Sequence, residues 1–374
     1  MIMKKESIIK RRYLCMLISL LFFVSCSDTQ INGPSEEFFE TYGNIKIGPL
    51  TRVYEDSQMP YTMDASWATL KNPDGTITFF ETAMGKFPYY YRHTGPLDNP
   101  LQTELSPYVF DYNGYNNTWP SGCWISNIYK VSDDLLIGIT HREDLYPANG
   151  NSYGKDCYYI GLSSSRDGGN SWKYIGDVIS VRGNLSTDPQ SGSNVAGCPI
   201  LVVGDYLYVY YDETNDSDFR ASLSVARTKI SDLVAAVRQD KIVPFFKYYE
   251  GTWEQPGING FASCVIPDFQ VNYDFHSDAV YCQKLGKYLI TVQTHDLGKL
   301  LLYQSVDGIN WEQNPITLDF AEGFMHPYSC FVGFGDEGNE DGTRVDKIFY
   351  VYICRKKVVN YEFDEIYYRK ILIE

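Results

Sequence analysis

The sequence predicts an all-β chain folded as a five-bladed β-propeller. Three observations carry this reading. Strand-forming aromatics are abundant, with 32 Tyr, 20 Phe and 6 Trp in 374 residues. One plan recurs five times: an apolar strand, a tight polar turn, and a second strand ending in charged or polar residues. No stretch longer than ISDLVAAVRQD (230–240) reads as a helix. Units about 50 to 80 residues apart suit four-stranded blades set around an axis.

The five hairpins are MDASWATLKNPDGTITFFET (63–82), SGCWISNIYKVSDDLLIGITHRED (121–144), AGCPILVVGDYLYVYYDE (196–213), HSDAVYCQKLGKYLITVQTHD (276–296) and HPYSCFVGFGDEGNEDGTRVDKIFYVYICR (326–355). The turns PDG, SDD, GD and LGK have hairpin chemistry, and the fifth hairpin has a longer, acidic turn. A third strand follows each: YYYRHTG (89–95), YYIGLSSSRDGG (158–169), RASLSVARTKI (220–230), LLLYQSVDG (301–308) and IYYRKILIE (366–374). In the second and fourth units this strand runs into a Ser-x-Asp-Gly-Trp knot, SSSRDGGNSW and QSVDGINW. These knots read as turns between the third and fourth strands of a blade. Asp167 and Asp307 are expected to accept backbone N–H bonds there, and Trp172 and Trp311 to pack between blades. The stretch 241–270, KIVPFFKYYEGTWEQPGINGFASCVIPDFQ, has aromatics and turns but no clean hairpin. It leaves a six-bladed, sialidase-like propeller as the alternative.

The formal net charge of −15 argues against a nucleic-acid partner, which needs a basic face. It suits a neutral or cationic ligand, or solubility alone. Residues 1–26 read as an export signal: Lys4, Lys5, Lys10, Arg11 and Arg12 precede the apolar run YLCMLISLLFFV (13–24), too short for an ordinary membrane span. FVSC then resembles a bacterial lipoprotein signal, cleaved before Cys26, which would carry lipid. Residues 27–45 read as a polar tether and 46–374 as the propeller. Ser27 and Asp28 resemble a surface-export signal of gut Bacteroidetes lipoproteins. The protein is therefore expected to be exported and lipid-anchored, at the outer membrane or cell surface, touching the membrane through that anchor alone. Seven further cysteines remain, an odd number, mostly in apolar strand-like runs, so few or no disulfides are expected; no spacing suggests zinc.

In such a blade the first strand starts, and the second ends, at one mouth of the axial funnel. First-strand starts place Asp64, Cys123, Cys198, His276 with Asp278, and His326 there. Second-strand ends add Glu81, His141 with Arg142 and Glu143, Asp212 with Glu213, His295 with Asp296, and Arg355. Four of the five histidines in the chain fall at these positions. Tyr89, Tyr90, Tyr91, Trp119 and Trp124 are candidate platforms for the apolar face of a sugar.

The knots are similar to the Asp-boxes of sialidases, and the arrangement resembles the five-bladed propellers of glycoside hydrolase families 32, 43 and 117 over most of residues 46–374. The resemblance implies a glycosidase using a pair of carboxyl groups. Asp64 stands where those families place an essential Asp and is expected to be base or nucleophile. The third-blade Glu of families 32 and 43 is absent from VAGCPILVV, and the second-blade Asp from SGCWIS. Glu143 is the first candidate for the acid, with His276, His326 or Glu213 as alternatives; Asp278 joins the catalytic candidates. His141, Arg142, Glu213, His295, Arg355 and Trp124 are expected to bind substrate, Arg142 and Arg355 by recognising an acidic sugar. A structural Ca²⁺ in the funnel is compatible with this fold, but no calcium-loop spacing exists, so no metal ligand is assigned. The expected function is a lipid-anchored glycoside hydrolase acting on a poly- or oligosaccharide. A non-catalytic glycan-binding lipoprotein and a sialidase-like enzyme are the alternatives.

Overall fold

The computed structural model describes residues 39–53, 63–82, 89–97, 106–111, 120–148, 151–182, 194–215, 220–266, 276–294, 298–335, 340–357 and 364–374. These residues form five antiparallel blades. Blade 1 comprises Ala68–Lys71, Ile77–Phe80, Tyr89–Gly95 and Ser106–Asp111. Blade 2 comprises the longer strands Pro120–Ser132, Leu135–Ala148, Asn151–Ser165 and Ser171–Ile179. In blade 3 the inner strand is split into Asn194–Ala196 and Ile200–Val203, followed by Tyr206–Asn215, Arg220–Lys229 and Phe246–Tyr249. Blade 4 comprises Ala279–Cys282, Lys287–Thr294, Lys299–Ser305 and Ile316–Phe320. The inner strands meet at an axis, because residues far apart in sequence bond there: Ser66 Oγ lies 2.8 Å from the carbonyl oxygens of both Ser277 and Ser329.

Blade 5 is built from both ends of the described chain. Ser329–Val332, Ile348–Lys357 and Asp364–Ile373 supply three strands. The N-terminal Ile45–Ile47 pairs antiparallel on the outside, with Ile45 opposite Ile373 and Ile47 opposite Ile371. All four isoleucines are buried, so apolar burial fixes this register. Glu40–Tyr42, within the segment read as tether, extends the sheet by one exposed strand. The residues before 39, Cys26 included, lie outside the described residues.

The turn of the fifth hairpin crosses the end of the funnel opposite the mouth. The Glu340 carbonyl accepts from the Lys71 N–H of blade 1 at 2.8 Å. The Asp341 carboxylate accepts from the Lys130 N–H of blade 2 at 2.8 Å. Arg344–Val345 pairs with the inner strand of blade 4.

No sixth blade exists among the described residues. Phe246–Tyr249 and Thr252–Pro256 pair onto blade 3 as its outer strands. Between them and the third strand lies one helix, Ile230–Val237, which buries Leu233 and Val237. Residues 241–266 look irregular because their strands are short, and exposed, half-buried and buried positions are mixed along them.

The two knots occupy the turn between third and fourth strands. In the first, Asp167 Oδ1 accepts from the Ser171 N–H at 2.9 Å and Ser165 Oγ from the Gly169 N–H at 2.8 Å. In the second, Asp307 Oδ1 accepts from the N–H groups of Ile309 and Asn310 at 2.9 and 2.8 Å. Both turns deliver a buried tryptophan to the neighbouring blade. Trp172 meets Phe80 of blade 1 edge-on at 5.8 Å, and Trp311 meets Tyr210 of blade 3 at 5.9 Å. Trp172 also lies flat over Gly138, where a Cβ would meet its ring at 2.8 Å. In the same seam the outer strands of blades 1 and 2 pair in parallel, Trp172 opposite Phe110, which fuses these blades into one continuous sheet.

Trp172→Ala is therefore expected to cost roughly 3–5 kcal/mol, read as a lower urea midpoint. A loss below about 1 kcal/mol would show that the knot does not hold the seam.

Candidate active site

Five side chains from four blades meet at the mouth. Asp64 precedes the inner strand of blade 1. Its N–H and that of Ala65 point at Thr82 Oγ1 (3.3 and 3.0 Å), which donates to the Ala65 carbonyl at 3.0 Å. This clamp fixes the backbone that carries the carboxylate. Asp64 Oδ1 accepts from the Tyr328 hydroxyl of blade 5 at 2.8 Å. Tyr328 is placed by a parallel bridge to His276, the segment leading into blade 4, and the two rings are 5.3 Å apart. His276 in turn stands 5.1 Å from the ring of His141 in blade 2. His141 Nε2 lies 3.1 Å from Glu143 Oε1. The period-two alternation of a strand puts His141 and Glu143 on one face and Arg142 on the other. Trp124 and Tyr158, on the flanking strands, pack the His141 ring at 4.9 and 5.3 Å.

The electrostatics divide the two carboxyl groups. Burial raises the pKa of Asp64, against the stabilising Tyr328 hydrogen bond, and the nearby Glu143 charge raises it further. Asp64 thus tends to keep a proton. His276 is driven well below the ordinary histidine range, chiefly by burial, so it is neutral. His141 Nδ1 is buried without a hydrogen-bond partner among the described residues. Orphaned buried N–H donors are rarer than bare acceptors, so we assign the His141 proton to Nε2, where it is donated to Glu143. Glu143 is near enough to Asp64 for its charge to raise the Asp64 pKa, and it accepts a hydrogen bond from His141.

The other sequence candidates serve the scaffold. Asp278 does not face the mouth: Oδ1 accepts from the Ala279 N–H at 2.9 Å and Oδ2 from the Phe331 N–H at 2.7 Å, joining the inner strands of blades 4 and 5. His326 and Arg355 converge on Asp319, at the end of blade 4's outer strand. His326 Nε2 is 2.7 Å from Oδ2, and Arg355 donates from Nε and Nη2 at 2.7 and 2.6 Å. Burial opposes ionisation of Asp319, but these bonds outweigh it and hold the carboxyl well below the usual range. Arg142 is bidentate to Asp177, both bonds 2.9 Å, and stacks on Tyr159. Glu213 is spent on the fully buried Lys247, 3.1 Å away, whose Nζ also donates to the carbonyls of Ser180 and Gly260. Trp124 is 1% exposed and supports His141 from beneath, so it offers no face to a sugar. Tyr90 likewise is core, stacked on Tyr108. His295, Asp296 and Trp119 lie outside the described residues.

Sequence reasoning missed Tyr328, Tyr158 and Lys356. A signal for Tyr328 existed. The three mouth residues that precede inner strands are each followed by a small residue, Asp64-Ala65, His276-Ser277 and Tyr328-Ser329. Matching HPYS to HSDA by histidine set the register two residues early.

The chain matches no protein-family model and no curated protein. Among solved structures it is similar to the catalytic domain of a Coprinopsis cinerea GH62 α-L-arabinofuranosidase, with a TM-score of 0.47, 9% identity, and coverage of 87% of this chain and 95% of that one. It is also similar to Zg3597, a family 117 glycoside hydrolase of Zobellia galactanivorans, with a TM-score of 0.47, 12% identity, and 88% and 90% coverage. A third is a putative hydrolase from Bacteroides ovatus, with a TM-score of 0.45, 12% identity, and 92% and 97% coverage.

The axial Asp278 gives a signed pH test. Burial pushes its pKa from 3.8 up to about 7, against the N–H bonds it accepts. Between those values the folded chain holds a proton that the unfolded chain has lost. Its contribution is therefore fully present below about pH 4 and is lost as pH rises through about 7, by at most about 4 kcal/mol. Urea midpoints measured from pH 4 to 8 are expected to fall less steeply in Asp278→Asn than in the wild type. Parallel curves would refute the shift.

Proposed function

We propose that this protein is a glycoside hydrolase that cleaves a poly- or oligosaccharide at the propeller mouth, with Asp64 as general acid and Glu143 as the opposing carboxylate. The observation that carries the reading is the convergence of Asp64 with the His141–Glu143 pair. One carboxyl is biased by burial toward its protonated form, and the other accepts from a histidine. Glycosidic cleavage needs this asymmetry. Asp64 would pass its proton to the glycosidic oxygen as that bond breaks, and Glu143 would supply the negative charge that stabilises the oxocarbenium-like anomeric centre. Water would then add to the anomeric carbon and return a proton to the carboxylate pair. Tyr328 would orient Asp64, and His141 would orient Glu143.

This inverts the role expected for Asp64 and keeps the pair. A sialidase-like reading loses its support, because Arg142 and Arg355 are both committed to aspartates. Export with a lipid on Cys26, at the outer membrane or cell surface, is part of the same proposal and rests on the basic residues and apolar run of the first 26 residues.

The test is release of sugar from a panel of oligosaccharides by the soluble chain. Asp64→Asn and Glu143→Gln are each expected to lower turnover by about 10²–10⁴-fold. A general acid is lost as pH rises through its pKa, so it sets the alkaline limb of the rate profile. Tyr328 favours the Asp64 anion, so Tyr328→Phe is expected to move that limb to higher pH. Wild-type turnover in both carboxylate variants would end the proposal. A wild type that binds saccharides without cleaving them would establish the binding-only alternative.

A further inference from the structure

Blade 3 carries a second cluster at the end of its strands away from the mouth. Tyr208, Arg227 and Phe246 are consecutive cross-strand neighbours on the second, third and fourth strands. The Arg227 guanidinium carbon lies 4.2 Å from the ring centre of Tyr206 and 4.1 Å from that of Trp253. Two rings at that distance hold the cation by cation–π contact, and the N–H donors of the guanidinium lie along its edge. Along that edge Nη1 donates to the Tyr208 hydroxyl at 3.3 Å. No carboxylate among the described residues pairs with Arg227, whereas Arg142 and Arg355 each hold an aspartate in a two-point contact.

The cluster opens into a cleft of about 330 Å³, lined also by Lys229, Asp232, Val243 and Pro244, within the size range of small-ligand sites. Lys229 adds a second positive charge. Asp232 adds one negative charge, and its Oδ1 accepts from the Ser231 hydroxyl at 3.1 Å. Phe246 is 43% exposed and forms an apolar wall with Val243 and Pro244. A fork of N–H donors held rigid by two rings, next to an exposed aromatic face, recognises an anionic group attached to a partly apolar ring.

We propose that this cleft binds a saccharide unit bearing a carboxylate or a sulfate ester, as a site separate from the mouth. The sugar component rests on the proposed function; the anionic group and the apolar face do not. The net charge of −15 opposes a densely charged polyanion, so the fitting ligand carries isolated acidic units.

The test is ligand-observed NMR with galacturonic acid, galactose 6-sulfate and galactose, using the soluble chain and Asp64→Asn. Binding of either acidic probe at least about tenfold tighter than galactose, in both proteins, is expected, and the two acidic probes tell carboxylate from sulfate. Arg227→Lys keeps the charge and removes the fork, and Phe246→Ala removes the exposed wall; each is expected to weaken binding about tenfold or more. Phe246→Ala also serves if Arg227→Lys fails to fold, and it should leave cleavage of small oligosaccharides unchanged. The proposal is overturned if neither acidic probe outbinds galactose, or if Phe246→Ala binds as the wild type does. Loss of acidic-probe binding in Asp64→Asn would place the ligand at the mouth and overturn it too. Failure of the glycosidase reading leaves these binding outcomes untouched.

Discussion

The arrangement depends on a small belt of polar bonds where the inner strands meet. The Ser66 hydroxyl is shared between carbonyls of blades 4 and 5. Asn127 Nδ2 of blade 2 donates to the Cys198 carbonyl of blade 3 at 3.0 Å. Asp278 of blade 4 accepts from the backbone of blade 5, and Thr291 Oγ1 meets Ser329 Oγ at 2.6 Å. Each such bond contributes about 1 kcal/mol net, yet leaving one buried partner unsatisfied costs more than the bond gains. The belt therefore acts as a spacer. It sets how far apart the strand starts sit, and so how far apart Asp64, Tyr328 and His276 are presented.

Around this belt several buried acids meet a basic side chain. Glu81 meets His93 at 2.9 Å, Asp177 meets Arg142, Glu213 meets Lys247, and Asp319 meets Arg355 and His326. In the last three, a cation offsets much of the cost of removing charge from water, and breaking the pair would strand a charge; at Glu81 burial outweighs the neighbouring His93 and raises the pKa. Asp64 differs, because the side chain that donates to its carboxylate is the neutral Tyr328 hydroxyl. The Tyr328 bond and the more distant fields of Lys356 and His141 do not outweigh burial, so the pKa of Asp64 is raised. The same physics that makes the first group structural makes Asp64 chemically poised.

Much of the architecture was legible because its causes are local. Hairpin turns, strand alternation and the Ser-x-Asp-Gly knots each act within a few residues, so five units and their third strands could be read directly. Asp64, His141, Glu143 and His276 were legible at the mouth for the same reason, as ends of recognisable strands. Arg142 was misplaced by parity, being counted with its neighbours although adjacent strand residues point to opposite faces. Glu213, Asp278, His326 and Arg355 were misread because their partners Lys247, Phe331 and Asp319 come from other elements, and nothing local announces them. Tyr328 was hidden by a two-residue register error, and the outer strands of blade 3 by their mixed exposure.

The ring is closed by joining the N-terminal strand Ile45–Ile47 to the last strand, Asp364–Ile373. Ile45 and Ile47 have no sheet to complete until residues 364–373 have been made. During synthesis the early blades therefore wait with an open flank, and unpaired strand edges invite mispairing with other chains. Closure therefore comes late and joins strands from the two ends of the described chain. A nascent chain stalled before its fifth blade is a different substance from the finished one, an open fan that quality control can recognise by its bare edges.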